Sequence, residues 1–499
     1  MKLLERWDDL VVPDDLVYFL DGASGNRLVA NPELAAWCVL GEAEAVVLRA
    51  LARGEAPPDV SRTARGRADA EGAADTARTL AKLVLNWIVY LPGHRPEIRP
   101  SEPRLSMVYY AITDGCNLRC PYCYASSEKA LPGELDTAES LDLVDQIADM
   151  GTRTLIFTGG EPTLRRDLFT VAEHAQQRGL ALNMITNGTT IRSAKTARRI
   201  ADTFNSVTVS IDGGTAEMHE RTRGKGTFAR TAQGLSLLND AGVIPTINHV
   251  VTTENVDALE ELSAFVSGLK VRQVRLMYHS ELGRAVSDAY DFGWTEFRKV
   301  QEFFWTDPRA EAFLPDGPKA EKPCSIKGNC GMGGTEIYVD SLGDVYPCKL
   351  VTEDVHRAGN IRQRPLSELF AQPVLADMRT NSVYEGENLK DCRRCYIRAA
   401  CGGGCRAYHM AETGDVHRNG RRLCRLLRHS MISNWWRAVG VSGRTLSEHQ
   451  DVMFTPRLVR DDAVHPVHED WRSAGRRMLP ILPTSGGAKS LPASGVRSA

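Results

Sequence analysis

Cys116, Cys120 and Cys123 are the residues of this chain best placed to do chemistry, because their C-x3-C-x2-C spacing puts three thiols on one short loop. Three thiolates can hold three irons of a 4Fe–4S cube and leave the fourth iron open. An open metal position is what separates a catalytic metal site from a closed structural one. Zinc is the alternative for such a knuckle, but it needs a fourth protein ligand, and none lies nearby in sequence. Eight further cysteines follow between residues 324 and 424: Cys324, Cys330, Cys348, Cys392, Cys395, Cys401, Cys405 and Cys424. Eight thiolates suffice for two four-cysteine clusters, although Cys392-x2-Cys395 taken alone would suit zinc equally well. Of the twelve cysteines only Cys38 falls outside both sets, and it reads as an ordinary core thiol.

The elements that must position these thiols follow from pattern. From Leu105 onward apolar strands alternate with helical stretches, the strands being Met107–Thr113, Thr154–Thr158, Ala181–Thr186, Ser206–Ile211, Val243–Val251 and Val271–Tyr278. Asp136 with Glu139 predicts a capping box, and Leu141, Val144 and Ile147 continue that helix on a three-four spacing until Gly151. Six β/α repeats predict an α/β fold with a parallel sheet, curved into a partial (β/α)6 barrel or left open. Ligands of such sheets sit at the carboxyl ends of the strands, which is where the three-cysteine loop falls. Residues 1–98 predict a small α+β unit, with strands at Leu16–Leu20 and Arg27–Ala30 and helices over Pro32–Leu51 and Asp69–Trp87. A proline-rich linker, His94–Pro103, leads to a core at 104–305, a Cys/Gly-rich region at 306–440 and an extension at 441–499, whose last twenty residues predict disorder.

Bulk properties exclude other classes. The 499 residues carry a formal charge of −2, with 42% hydrophobic and 25% charged residues, which argues for a globular protein without a nucleic-acid partner. The first residues lack the basic and apolar regions of a secretory signal, and no apolar run is long enough to span a bilayer, so a cytoplasmic location is expected. In that reducing compartment clustered cysteines read as metal ligands before disulfides.

With an aromatic residue before its third cysteine, the loop resembles that of the radical S-adenosylmethionine (SAM) superfamily. The resemblance implies that the open iron is chelated by S-adenosyl-L-methionine, whose reductive cleavage yields a 5′-deoxyadenosyl radical that abstracts a substrate hydrogen. It also implies roles for further residues. Gly159, Gly160, Glu161 and Pro162 after the second strand would hold the methionine amino group, Ser210 and Asp212 the ribose side, and Arg223 the carboxylate. Tyr122 and Asn187 join this cofactor-binding set, and Gly283-Arg284-Ala285 fits the pattern after the sixth strand. Plain readings stand beside these: a Gly/Pro turn at 159–162, a strand-ending turn at Asp212-Gly213, an Asn-Gly turn at 187–188 and a surface arginine at 223.

The second cysteine run resembles the SPASM extension of radical enzymes that modify peptides and proteins. That likeness implies two auxiliary 4Fe–4S clusters, one on Cys324, Cys330, Cys348 and Cys405 and the other on Cys392, Cys395, Cys401 and Cys424, making three in all. The implied activity is hydrogen abstraction from a residue of a ribosomally made precursor peptide, forming a cross-link or other oxidative modification, with a flavodoxin- or ferredoxin-type electron donor. The amino-terminal unit resembles the winged-helix-like modules that dock a precursor's leader, with a structural role as the plain reading. Alternatives are oxidation of a sugar or amino acid, a non-catalytic electron carrier, and formylglycine formation. The last is disfavoured because Lys349, where those enzymes place an aspartate base, follows Cys348. Tyr278, His279 and Glu281 point toward the substrate side, and Ser433–Arg437 predicts a packed helix.

Overall fold

The computed structural model describes residues 5–57, 70–96, 104–279, 281–285, 292–313, 326–384 and 389–467. Cys324, residues 97–103 of the linker and the stretch 480–499 lie outside them.

Six parallel strands form the centre: β4 (Met107–Thr113), β5 (Thr154–Gly159), β6 (Ala181–Thr186), β7 (Ser206–Ser210), β8 (Thr246–Val251) and β9 (Gln273–Tyr278). Their order in the sheet is their order in the chain, each β/α unit landing beside the one before it. The helix Thr137–Asp149 starts as the sequence predicts: Asp136 Oδ1 accepts from the Glu139 amide at 2.9 Å, and Glu139 Oε2 accepts from the Asp136 amide at 2.8 Å. Val108, Tyr110, Leu155, Phe157, Leu182, Met184, Val207, Val209 and Ile247 join the helices in one buried core.

The cysteine-rich region is not a separate layer. Its strand β10 (Glu336–Val339) pairs parallel to β4, and β11 (Asp344–Tyr346) and β12 (Gly359–Asn360) extend the same sheet antiparallel, giving nine strands. Cys348 follows directly after β11 and is thereby tied to the β4 edge of the barrel.

A second sheet, with order β13-β1-β2-β3, is antiparallel and four-stranded. It uses β1 (Val17–Leu20), β2 (Arg27–Asn31), β3 (Ala36–Leu40) and, from the far end of the chain, β13 (Arg457–Leu458). The helix expected over Pro32–Leu51 is therefore corrected: its first half is strand, and the helix runs only over Glu42–Ala52. Trp37 and Val39 alternate with buried Ala36, Cys38 and Leu40, a period-two pattern, and Ala35 turns the chain with a φ of 52°. Trp435 and Trp436 do lie on a packed helix, Arg421–Ala438. They share a buried cluster with Val17, Phe19 and Leu28 of the small sheet and Trp305 of the helix Trp294–Thr306. No helix of the described residues is long and apolar enough to cross a membrane.

Candidate active site

The loop after β4 is held by its own backbone needs. The Asp114 amide donates to Glu134 Oε1 at 2.7 Å, the Cys116 amide to the Glu128 carbonyl at 3.1 Å, and the Cys123 amide to the Cys120 carbonyl at 3.2 Å. Arg284 grips the loop from outside. Its guanidinium donates to the carbonyls of Cys120 (3.2 Å), Ser126 and Ser127 (both 3.0 Å), and its amide to the Cys123 carbonyl at 3.0 Å. Gly283 is required beside it, with φ at +60° and a Cβ that would stand 2.2 Å from the Tyr124 carbonyl oxygen.

Cys116, Cys120 and Cys123 line one cavity of about 210 Å³ at the carboxyl ends of the parallel strands. Among the described residues no three His, Cys, Asp or Glu side chains surround a single point as one metal ion would need, whereas a cavity of this volume takes a group of several atoms. Burial pushes the Cys116 thiol up to about 11, against a lowering donor bond from the Leu118 amide, and raises Cys120 against the Arg223 charge. Metal binding there must displace protons.

The same cavity collects Tyr122, Gly159, Gly160, Asn187, Ser210 and Arg223. A Cβ at Gly159 would stand 2.2 Å from the Thr113 carbonyl oxygen, and one at Gly160 2.2 Å from that of Gly115, so the strand end lies flush against the cysteine loop. Glu161, Pro162 and Asp212 do not line the cavity but support its wall. The fully buried Glu161 carboxylate accepts from Thr186 Oγ1 and the Asn187 amide, each at 2.7 Å, which locks the β5 end to the β6 end. Asn187 in turn donates to Asn117 Oδ1 at 2.9 Å, reaching back to the cysteine loop.

Asp212 is fully buried and accepts from Arg223 Nε at 2.6 Å, Thr222 Oγ1 at 3.0 Å, the Val250 amide at 3.2 Å and the Tyr122 hydroxyl. Burial alone would raise its carboxyl, but the Arg223 guanidinium reverses this and holds it at about 2. Arg223 therefore faces the cavity already oriented by a carboxylate.

The opposite wall comes from the cysteine-rich region. Lys349, Leu350 and Tyr408 line the cavity together with Tyr278 and His279, while Glu281 lies 3.5 Å from Arg422. Lys349 sits 4.3 Å above the Tyr109 ring. Burial lowers its ammonium, partly offset by Cys348 and Glu336. Sequence reasoning missed Asn248, whose buried Oδ1 has no hydrogen-bond partner among the described residues and lines the cavity from β8, and Tyr408, whose hydroxyl donates to the Tyr278 carbonyl. Asn248 was discoverable as a polar residue in the middle of a barrel strand; Tyr408 carried no such signal.

The remaining thiols gather in two groups. Cys330, Cys348 and Cys405 line one cavity, and Cys392, Cys395, Cys401 and Cys424 another, Cys401 being common to the walls of both. All eleven described cysteines are free thiols, and Cys38 is buried in the small-sheet core, its thiol pushed up to about 12 by burial.

Comparisons with known proteins agree with this layout. Residues 110–266 match the radical SAM superfamily, and residues 330–396 match the SPASM iron–sulfur cluster-binding domain. The chain is 31% identical over 309 residues to mycofactocin maturase MftC of Mycolicibacterium smegmatis, covering 60% of this chain and 77% of that one. It is 28% identical over 360 residues to the AdoMet-dependent heme synthase of Nitratidesulfovibrio vulgaris, covering 66% and 95%. Among solved structures, Streptococcus suis SuiB bound to S-adenosylmethionine superposes with a TM-score of 0.52 at 16% identity, over 83% of this chain and 99% of that one. Native anSMEcpe with bound AdoMet gives 0.54 at 20% identity, over 70% and 100%. At such identities the structural likeness speaks for the fold.

Proposed function

Because this chain belongs to the radical SAM superfamily and carries a SPASM extension, we propose that it is a maturase that abstracts hydrogen from a residue of a ribosomally made peptide and leaves it oxidised, as in a cross-link. The observation that carries the reading is the shared cavity. One wall presents Cys116, Cys120 and Cys123 with Gly159, Gly160, Ser210 and Arg223, and the other presents Lys349 and Tyr408 from the cysteine-rich region. A 4Fe–4S cluster on the three thiols with S-adenosyl-L-methionine would supply one-electron cleavage of the sulfonium and so a hydrogen-abstracting radical.

The chain's own residues do the rest. The flush Gly159-Gly160 edge leaves room for the cofactor's amino-acid end, Arg223 offers a cation to its carboxylate, and the unpaired Asn248 Oδ1 offers an acceptor. Tyr278, His279 and Tyr408 line the substrate side of the cavity. Cys330, Cys348 and Cys405 (with Cys324, which lies outside the described residues) form one auxiliary ligand set, and Cys392, Cys395, Cys401 and Cys424 the other. A fully ligated cluster leaves no iron for substrate, so its work is to move electrons.

Two relatives support a peptide substrate: MftC is named a maturase, and SuiB has been crystallised with its precursor peptide SuiA. Among the described residues β3 pairs only with β2, so the amino-terminal sheet offers a strand edge to a leader. The likeness to a heme synthase favours a small molecule as the second reading. Co-expression with neighbouring short reading frames separates them. A peptide lighter by two hydrogens in the mass spectrum is the expected result. Turnover of a metabolite with every such peptide unchanged would establish the second reading instead. A cytoplasmic location and an external one-electron donor complete the proposal.

A further inference from the structure

A second cleft, of about 440 Å³, opens beside the distal thiol group, with Cys424 in its wall. Five arginines line it: Arg394, Arg421, Arg422, Arg425 and Arg428, against a single acid, Asp391. In a chain whose formal charge is −2, this concentration of one sign is local and not a by-product of composition. Four of the five lie on the first turns of the helix Arg421–Ala438, where Arg421/Arg425 and Arg425/Arg428 are like-charged neighbours that oppose helix formation. Folding gains nothing from that repulsion.

The inner arginines have partners. Arg425 stacks 3.7 Å from the Trp294 ring, Arg428 lies 5.7 Å from the Tyr396 ring, and Arg422 pairs with Glu281 at 3.5 Å. Arg394 and Arg421 are exposed and make no hydrogen bond or ion pair among the described residues. Behind the cleft the thiols run inward. Cys424 and Cys392 share a cavity with Cys401, Cys401 borders the cavity of Cys405 and Cys348, and Lys349 reaches the catalytic cavity.

We propose that this arginine cleft is the docking surface for an acidic, low-potential one-electron carrier protein of the flavodoxin or ferredoxin class. Resting on the cluster assignment above, it delivers electrons to the cluster on Cys392, Cys395, Cys401 and Cys424. The carrier is oxidised by one electron, the cluster is reduced by one, and no proton or group is transferred. A cleft of one sign focuses its field outward and accelerates encounter with an oppositely charged partner.

The test uses anaerobic, iron-replete enzyme and a reduced flavodoxin as probe. The double reversal R394E/R421E is expected to weaken flavodoxin binding at least ~10-fold at low salt, to slow flavodoxin-driven cluster bleaching in stopped flow, and to lose the difference at high salt. R394K/R421K, which keeps the charge, is expected to retain binding. Unchanged affinity and salt dependence in R394E/R421E would overturn the proposal, as would loss of precursor-peptide binding with flavodoxin binding intact. Iron analysis separates this from the parent reading. Wild-type enzyme without sulfide-bridged iron would sink the cluster assignment, whereas iron-replete enzyme indifferent to the reversal would sink only the docking surface.

Discussion

Two contacts decide most of the site at the scale of single residues. Gly160 lies so close to the cysteine loop that any side chain must push against main chain and not against a flexible neighbour. Gly160→Ala is expected to leave the helical circular dichroism unchanged while weakening S-adenosyl-L-methionine binding by about 10-fold or more, read by equilibrium dialysis. Asp212 and Arg223 form a buried pair, and removing one partner strands the other charge away from water. Asp212→Asn is expected to destabilise the protein by about 3–5 kcal/mol in thermal or denaturant unfolding. It should also impair deoxyadenosine formation, because Tyr122 and Arg223 lose their common anchor.

Elements meet where the helix Arg421–Ala438 joins the small sheet to the barrel. Trp305 Nε1 donates to Ser433 Oγ at 2.7 Å across that joint. His429 sits inside it, stacked 4.0 Å from Phe454 and 5.6 Å from Trp305. Burial, then the Arg298 and Arg425 charges, hold its imidazole at about 3. An unfolded chain protonates this histidine near its ordinary value of about 6.5, so the stabilisation is complete above that pH and is lost as pH falls toward 3. Wild-type protein is expected to lose about 2 kcal/mol from this group alone between pH 7 and 5. His429→Phe, which keeps the ring and removes the titration, is expected to show a flatter dependence of Tm on pH over the same interval. Equal slopes for the two proteins would show that the joint does not hold a neutral imidazole.

For the molecule as a whole, the thiols fall into three groups on three cavities, the second and third of which share Cys401 in their walls. If each group holds its own cluster, joint replacement by alanine of Cys392, Cys395, Cys401 and Cys424 should lower bound iron by roughly a third. Replacing Cys116, Cys120 and Cys123 should lower it by a similar amount and abolish deoxyadenosine formation. Iron and sulfide analysis of anaerobically reconstituted variants checks both. An undiminished iron content would disprove the assignment.

The sequence by itself determined the barrel and most of its chemistry, because these depend on local facts: apolar strands alternating with helices, Gly-Gly at a strand end, thiols at short spacing. The strands Met107–Thr113 and Ala181–Thr186 occupy the residues that their apolar runs mark. Tertiary structure alone decided what depends on partners distant in the chain. Leu458 pairs with Val17 to complete the small sheet, a contact between the two ends of the described chain. Lys349 and Tyr408 face a cavity built by β4 to β9 because β10 pairs with β4. A strand's own pattern does not say which remote strand it pairs with, so only the folded chain reveals the partner.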